Sequence, residues 1–237
     1  NPDLALGEGY MDGTILLQDD DLRGFLKFVA DNMFRGAQFP LWQAPIGWGR
    51  DMLRRLSMIN PAARSRANVA HHYDLSGELY ALFLDDDRQY SCAYWAREGM
   101  TLEQAQAAKK AHIARKLLLR PGMRVLDIGC GWGGMAITLA RDHGVHVTGI
   151  TLSEEQLKVA QARVAAAGLA GRIDLRLMDY RDVTGPFDRI VSVGMFEHVG
   201  LPQYQTYFDR LRDLLAEDGV ALIHTITQHG RPQAASP

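Results

Sequence analysis

A glycine-rich turn between an apolar strand and a helix constrains the fold of this chain most. The run Val125–Gly134 reads VLDIGCGWGG, so a short β-rich segment passes through glycines directly into a helical pattern. Glycine lets the backbone approach a ligand closely, and the first turn of the following helix presents free N–H groups to polar or anionic atoms. The run therefore predicts a nucleotide site at the carboxyl end of a strand.

Around this turn, short β-rich runs alternate with helical patterns from Lys116 onward, which is typical of βαβ units in a parallel sheet. Thr101 with Gln104 and Ser153 with Gln156 fit capping boxes at two helix starts. We predict strands at 124–128, 145–150, 173–178, 187–193 and 220–226, and helices at 133–143, 154–167 and 204–216. The expected fold class is α/β, with a doubly wound, mostly parallel, Rossmann-like sheet.

The first part of the chain has a different pattern. Apolar residues at helical spacing predict an amphipathic helix there, and we expect its apolar face to belong to a core rather than to an interface. These residues are Leu22, Phe25, Leu26, Val29 and Met33. Further on, the segment 50–66 carries five arginines against the single Asp51. Either a solvated face or docking to lipid phosphates explains this basic segment.

Composition excludes several classes of protein. The chain has 237 residues, of which 47% are hydrophobic and 23% charged, with a formal net charge of −2. Such values do not fit a disordered tail, a coiled coil or a collagen-like rod, and they give no overall electrostatic reason to expect a nucleic acid. The only cysteines, Cys92 and Cys130, form neither a disulfide framework nor a zinc-ligand spacing. Since no segment has the apolar length of a membrane span, we expect a cytoplasmic protein.

The glycine turn fits two ligand classes by spacing alone. Gly129, Gly131 and Gly134 satisfy the dinucleotide pattern G-x-G-x-x-G, whereas Asp127 with Gly129, Gly131 and Gly133 satisfies the D-x-G-x-G-x-G turn of S-adenosylmethionine-dependent methyltransferases. A dinucleotide site requires an acidic residue at the end of the second strand to hold the ribose.

That second strand ends in the run Gly149–Ser153, which contains no acidic residue. The methyl donor is therefore favoured over a dinucleotide. Asp127 is placed to organise the turn and to help hold a charged amino-acid moiety, and Asp179, which closes the third strand, is placed to accept from an adenine amino group.

Seven short runs carry a more specific resemblance. They are His72–Asp74, Gln89–Trp95, Val125–Gly134, Gly149–Ser153 with Gln156, Asp179–Asp182, Val193–Gly200 and His224–Ile226. In this order they resemble the cyclopropane-fatty-acyl-phospholipid synthase family over essentially the whole chain. The resemblance implies that residues 1–60 are the end of a small N-terminal lipid-associated domain and a linker. Residues 61–237 would then form the S-adenosylmethionine-dependent methyltransferase domain, whose C-terminal part we expect to be incomplete.

The resemblance also implies a reaction. S-adenosylmethionine would supply a methylene carbon across the cis double bond of an acyl chain esterified in a membrane phospholipid, and branching relatives leave a methyl group instead of a ring. The enzyme would contact the membrane peripherally, and the family suggests a homodimer.

Family motifs imply the roles of individual residues as well. A bound bicarbonate ion would act as the base, held by Cys92, Glu197, His224 and the backbone of Ile226. A tyrosine from a segment beyond the fifth strand completes this cluster in the family, and the sequence ends at Pro237 before any such segment. The implied cofactor-binding residues are Tyr73, Tyr90, Ser91, Asp127, Gly129, Gly131, Gly133, Thr151, Gln156, Asp179 and Tyr180. Among them, Thr151 and Gln156 replace the usual ribose carboxylate with neutral groups.

Simpler interpretations of the reactive residues stay open. Cys92 could be a small buried hydrophobe, His224 a satisfied core histidine, and Glu197 a cap of its turn, with His198 beside it as the polar partner. A small-molecule methyltransferase on the same fold and a non-catalytic S-adenosylmethionine- or lipid-binding module are the rival functions.

Overall fold

The computed structural model describes residues 2–34 and 77–227. Residues 2–34 belong to one compact unit and residues 77–227 to a second. Tyr73, the motif 72–74 and the basic segment 50–66 lie outside the described residues. No helix in the described ranges is both long and apolar enough to cross a membrane.

The first unit contributes two helices, α1 (Pro2–Met11) and α2 (Leu22–Phe34), with a 3₁₀ turn at Gln18–Asp20 between them. Helix α2 covers the apolar residues whose spacing predicted a helix. Leu22 is 37% exposed and Leu26 55% exposed, and no side chain between residues 5 and 32 is buried. The expectation that this face belongs to a core is therefore not confirmed.

The second unit alternates helices and strands along the chain. Its elements are α3 (Gly77–Ala81), α4 (Leu102–Lys116), β1 (Arg124–Ile128), α5 (Gly134–His143), β2 (His146–Thr151), α6 (Glu154–Ala166), β3 (Ile173–Leu177), β4 (Phe187–Val193), α7 (Tyr204–Leu214) and β5 (Leu215–His224). The strands form one sheet in the order β3-β2-β1-β4-β5, and all neighbouring pairs are parallel. The predicted doubly wound α/β fold is confirmed.

Hydrophobic residues cover both faces of this sheet. Because successive side chains of a strand point to opposite faces, Val125 joins a cluster with α4, α5 and α6, while Leu126 joins a second cluster with α7. Burial on both faces explains why these strands read as nearly continuous apolar runs.

The boundaries of the last helix and strand differ from the prediction. Helix α7 ends at Leu214 and β5 begins at once with Leu215, which pairs with Phe187, although the sequence suggested a loop up to residue 219. A register irregularity between Phe187 and Arg189 accommodates the polar residues at the start of β5.

Of the two predicted capping boxes, one forms completely and the other only in part. Thr101 and Gln104 bond reciprocally at the start of α4, as predicted. At α6 only half of the box forms: Ser153 Oγ accepts from the N–H of Gln156, whereas the Gln156 side chain accepts a hydrogen bond from Thr151.

Candidate active site at the carboxyl edge of the sheet

The parallel sheet gathers the predicted site residues at one edge. Asp127 lies near the end of β1 and Thr151 ends β2, while Glu197 follows β4 and His224 ends β5. From β1 the chain adds β2 and β3 on one side of the sheet and then β4 and β5 on the other. Ligands bind in open α/β sheets at such a point, here between β1 and β4. Residues far apart in the sequence are thus brought to one crevice.

The glycine-rich turn after β1 uses its glycines for different purposes. Gly131 has a φ of +53°, and a Cβ added to it would meet no heavy atom within 4 Å. Gly133 has a φ of +82°, and its Cβ would lie 3.2 Å from that of Ala160 in α6. Gly131 therefore leaves open space in front of the turn, whereas Gly133 permits close packing of α6 behind it.

Asp127 is a buried carboxylate at the base of this turn. It is 2% exposed, and its Oδ2 atom has no hydrogen-bond partner. Burial raises the pKa of Asp127 to about 7, because the charged form loses its hydration. An unpartnered buried carboxylate oxygen at the base of a glycine-rich turn fits a ligand that carries a cationic group, such as the α-amino group of S-adenosylmethionine.

The end of β2 presents a neutral pair in place of an acidic residue. The hydroxyl of Thr151 donates to Oε1 of Gln156 over 3.1 Å and accepts from the N–H of Ser153 over 3.2 Å. Both Thr151 and Gln156 are buried. These bonds fix the two side chains relative to each other without any ligand.

Asp179, after β3, is engaged more fully than the sequence suggested. Its Oδ1 atom accepts from the backbone N–H and the Nε of Arg181 over 3.0 and 2.8 Å, and its Oδ2 accepts from Nη2 of Arg181 over 2.7 Å. The guanidinium of Arg181 also lies 5.5 Å from the ring centre of Tyr180. An adenine amino group would have to share this carboxylate with Arg181.

A strap of residues 85–92 lies against the glycine turn and α4. Nε2 of Gln106 donates to the carbonyls of Gln89 and Ser91 over 3.1 and 3.0 Å, and Nζ of Lys109 donates to Ser91 Oγ over 2.7 Å. A Cβ added to Gly194, after β4, would lie 3.7 Å from Cβ of Ser91. The strap thus places Ser91 beside the carboxyl end of β4.

Charges anchor the earlier part of this strap. The Asp87 carboxylate pairs with Lys110 of α4 and Arg163 of α6. Arg163 also donates to the carbonyl of Trp132 over 2.7 Å, which links the strap to the glycine turn. Next to it, Tyr80 packs 4.9 Å from Trp132 and 5.5 Å from Tyr90, as measured between ring centres.

Sequence reasoning missed Asp87, Lys109 and Arg163. One signal for Lys109 was present, since it shares a helical face with Ala105 and Ile113, both of which are buried. A lysine at such a position has to find a partner inside the protein. No comparable signal marked Asp87 or Arg163.

Of the four residues proposed to hold the base, two are joined by a hydrogen bond. The backbone N–H of Ile226 donates to Oε1 of Glu197 over 2.7 Å. Nearby, the N–H of Gly194 donates to the carbonyl of His224, whose buried ring atom Nδ1 has no partner. Cys92 is exposed and follows Ser91 in the strap, so it is not a small buried hydrophobe, whereas Cys130 is buried.

The sequence of the chain matches a known family. A family model described as mycolic acid cyclopropane synthetase matches residues 61–236. The chain belongs to this family.

Individual relatives agree with that assignment. The chain is 44% identical to the cyclopropane-fatty-acyl-phospholipid synthase of Escherichia coli over 94% of its own length and 56% of the relative. It is 48% identical to a probable fatty acid methyltransferase of Pseudomonas putida over 69% of its own length and 43% of the relative. The chain therefore spans about half the length of the curated relatives that it matches.

Among solved structures, the mycolic acid cyclopropane synthase CmaA1 in complex with SAH (S-adenosylhomocysteine) and CTAB matches with a TM-score of 0.66. The identity is 42%, and the match covers 70% of this chain and 57% of CmaA1. This family member binds the demethylated form of the methyl donor on the same fold.

Proposed function

We propose that this protein is an enzyme that transfers a methylene group from S-adenosylmethionine to the cis double bond of an unsaturated acyl chain in a membrane phospholipid. The observation that carries the proposal is the presence of two features at one edge of the sheet: the buried Asp127, whose Oδ2 atom has no partner, and the Glu197–Ile226 hydrogen bond after β4 and β5. The class of reaction is inferred from the family and from the names of its relatives.

The cofactor half of the proposed site lies around β1 and β2. Asp127 would accept hydrogen bonds from the α-amino group of S-adenosylmethionine, and Gly131 would let the backbone approach the ligand. Tyr90, which is 54% exposed in the strap, would cover the ligand. Thr151, Gln156, Asp179 and Tyr180 complete the proposed binding set, together with Gly129, Gly133, Ser91 and Tyr73. When bound, S-adenosylmethionine supplies an electrophilic methyl group held by a positively charged sulfur.

The lipid half needs a base rather than a strong nucleophile. Attack by the π electrons of an alkene on the sulfonium methyl group would break the S–CH₃ bond, release S-adenosylhomocysteine and leave positive charge on the acyl chain. Loss of a proton from the added carbon would then leave the electron pair that closes the ring. Glu197 follows β4 at the carboxyl edge of the sheet and accepts a hydrogen bond from the N–H of Ile226, which supports a role for it beside that base.

Bicarbonate is the base that the family resemblance implies, and the donor types present fit such an ion. A thiol, an imidazole and a backbone N–H are hydrogen-bond donors, and the N–H of Ile226 already donates to an oxyanion, the Glu197 carboxylate. Cys92 and His224 would hold the ion by donating to it, and the N–H of Ile226 would be shared between the ion and Glu197. Glu197 would accept a hydrogen bond from the hydroxyl group of the ion. Bound there, bicarbonate would take up the proton that leaves the alkylated chain.

Membrane contact is the further part of the proposal. Leu26 and Phe28 of α2 expose apolar surface, and the sequence places the basic segment 50–66 between α2 and the catalytic unit. Apolar side chains that enter a bilayer and cations that meet lipid phosphates together anchor proteins at membrane surfaces. We propose that the segments between Leu22 and Arg66 dock the enzyme on anionic membranes, with residues 1–60 as the end of the lipid-associated domain and a linker and residues 61–237 as the methyltransferase domain. Sedimentation of the full-length protein tests the homodimer that the family suggests.

Mass spectrometry of acyl chains tests the function. Vesicles of unsaturated anionic phospholipid are incubated with S-adenosylmethionine and the natural full-length protein, with neutral vesicles as the comparison. We expect a gain of one CH₂ unit with loss of the double bond, faster on anionic vesicles, and fragmentation separates a ring from a methyl branch. If S-adenosylhomocysteine binds but no acyl chain gains mass, the protein is a binding module or uses another acceptor. If the gain is equal on neutral vesicles, the docking proposal is wrong.

A further inference from the structure

Lys109 is a charged side chain inside the second unit that the proposed reaction does not yet use. It lies on α4, is 3% exposed, and donates from Nζ to Ser91 Oγ over 2.7 Å. One turn earlier, Gln106 is equally buried and donates to the carbonyl of Ser91. Helix α4 therefore fixes both the backbone and the side chain of Ser91.

The chemistry of the two groups sets the direction of the hydrogen bond. A lysine ammonium has three donor protons and no acceptor, whereas a serine hydroxyl has one proton and two acceptor sites. Ser91 Oγ must accept from charged Lys109, so its own proton is directed to a different acceptor. Ser91 lies against Gly194 at the carboxyl end of β4, within the crevice of the proposed cofactor site.

We propose that Lys109 is a positioning residue that fixes the Ser91 hydroxyl as a hydrogen-bond donor to the carboxylate of the methyl donor's amino-acid end. The proposal rests on the proposed function. A carboxylate is the acceptor-only group at that end of S-adenosylmethionine, while its α-amino group matches Asp127. The ligand would then meet a donor at Ser91 and an acceptor at Asp127.

The surroundings of Lys109 make this arrangement sensitive to pH. Burial lowers the pKa of Lys109 to about 8, and the like charge of Lys110 on the same helix acts in the same direction. Asp85 and Asp87 of the strap oppose the shift, as does the Cys92 thiol when ionised. Once Lys109 loses its proton, its nitrogen can accept, and the Ser91 proton can turn towards it instead of the ligand.

The test is the affinity for S-adenosylhomocysteine, measured by calorimetry between about pH 7 and about pH 9.5 in the natural full-length protein. We expect Lys109→Met to bind about tenfold more weakly than wild type at the lower pH, because a charge-assisted arrangement is lost. Wild type should lose that advantage as the pH rises, so that the two affinities converge. The ligand's own amino group titrates identically with both proteins, so only their difference reports on Lys109. Lys116→Met, an exposed lysine on the same helix, is the control and should follow wild type throughout.

Two further variants separate positioning from folding. Ser91→Ala should weaken binding as much as Lys109→Met, and the double variant should be no weaker than either single variant, since both changes remove one interaction. If Lys109→Met unfolds, the pH profile of Ser91→Ala still decides, because the affinity of that variant should no longer change as Lys109 titrates. Additive losses, or parallel pH profiles for wild type and Ser91→Ala, would overturn the proposal. Failure of wild type to bind S-adenosylhomocysteine would instead overturn the proposed function.

Discussion

Replacement of Asp127 by asparagine should separate the stability of this protein from its affinity for ligand. The carboxylate is buried, its Oδ2 atom has no partner, and its pKa is raised from 3.8 to about 7. A group with a raised pKa in the folded state contributes most to stability below its unfolded pKa, and that contribution is lost as the pH rises through the folded value. The ionised Asp127 of the ligand-free protein is therefore a destabilising charge at about pH 8.

The size of the effect follows from the shift. The difference of roughly three pKa units corresponds to about 4 kcal/mol at about 1.4 kcal/mol per unit. An asparagine at this position leaves its own amide without partners, which costs about 1–3 kcal/mol. A net gain of about 2 kcal/mol remains, which raises the melting temperature by about 4–8 °C for a chain of this size.

Ligand binding should change in the opposite direction. Loss of the carboxylate removes a charge-assisted hydrogen bond to the ligand's amino group, worth about 1.5–3 kcal/mol, or roughly a 10- to 150-fold weaker affinity for S-adenosylhomocysteine. Thermal unfolding with and without this ligand measures both effects. The wild-type protein should also bind more weakly below about pH 7, where Asp127 takes up a proton.

Asp174→Asn is the matched control, since Asp174 is exposed and pairs with Arg176 on the surface. It should change neither the melting temperature by more than about 1 °C nor the affinity. The reasoning is refuted if Asp127→Asn lowers the melting temperature equally at acid and alkaline pH, because the carboxylate is then a stabilising partner. Unchanged affinity in that variant would refute its role in binding.

Three further changes test other parts of the site. Gly131→Val should abolish binding of S-adenosylhomocysteine, because a β-branched residue is strained at a φ of +53° and fills the open space. The control is Gly171→Val, where an added Cβ also meets no heavy atom within 4 Å but φ is not positive. This control should bind normally in the same calorimetric assay. Glu197→Gln should abolish ring formation in the mass-spectrometric assay and leave this affinity within about threefold, so a larger loss of affinity would contradict the division of the site. Arg163→Met should leave Asp87 with fewer partners and lower the free energy of unfolding by about 1–3 kcal/mol in denaturant titrations; an unchanged value would mean that the pair does not anchor the strap.

The parts of the fold that the sequence predicted are those determined by local patterns. β1 and β4 begin and end at the predicted residues, because apolar runs buried on both faces of a parallel sheet are easy to delimit. The start of β5 was missed because Leu215 and Ala216 continue the helical pattern of α7 and the polar Glu217 and Asp218 follow them, so this stretch becomes a strand only through pairing with β4. Tertiary pairing, which the sequence pattern does not encode locally, decided that boundary.

The residues of the candidate site also divide into those that a local sequence pattern predicted and those that it did not. Asp127 and the glycines after it were recognised because turn and ligand chemistry fall within a few adjacent residues. The links of Lys109 to Ser91 and of Arg163 to Asp87 span 18 and 76 residues. Such contacts arise from the packing of α4 and α6, so no motif of adjacent residues could have indicated them.

The two halves of the site differ in how the described residues prepare them. On the cofactor side, Asp127, Thr151 and Gln156 are buried, and a hydrogen bond joins Thr151 to Gln156 before any ligand arrives. On the lipid side, Cys92 and Glu197 are exposed in the described part of the chain. Alkylation of an alkene needs a water-poor pocket, because positive charge on the acyl chain would otherwise be captured by water. An acyl chain that covers these exposed groups as it binds would itself exclude that water, so substrate binding and formation of the dry pocket would be one event.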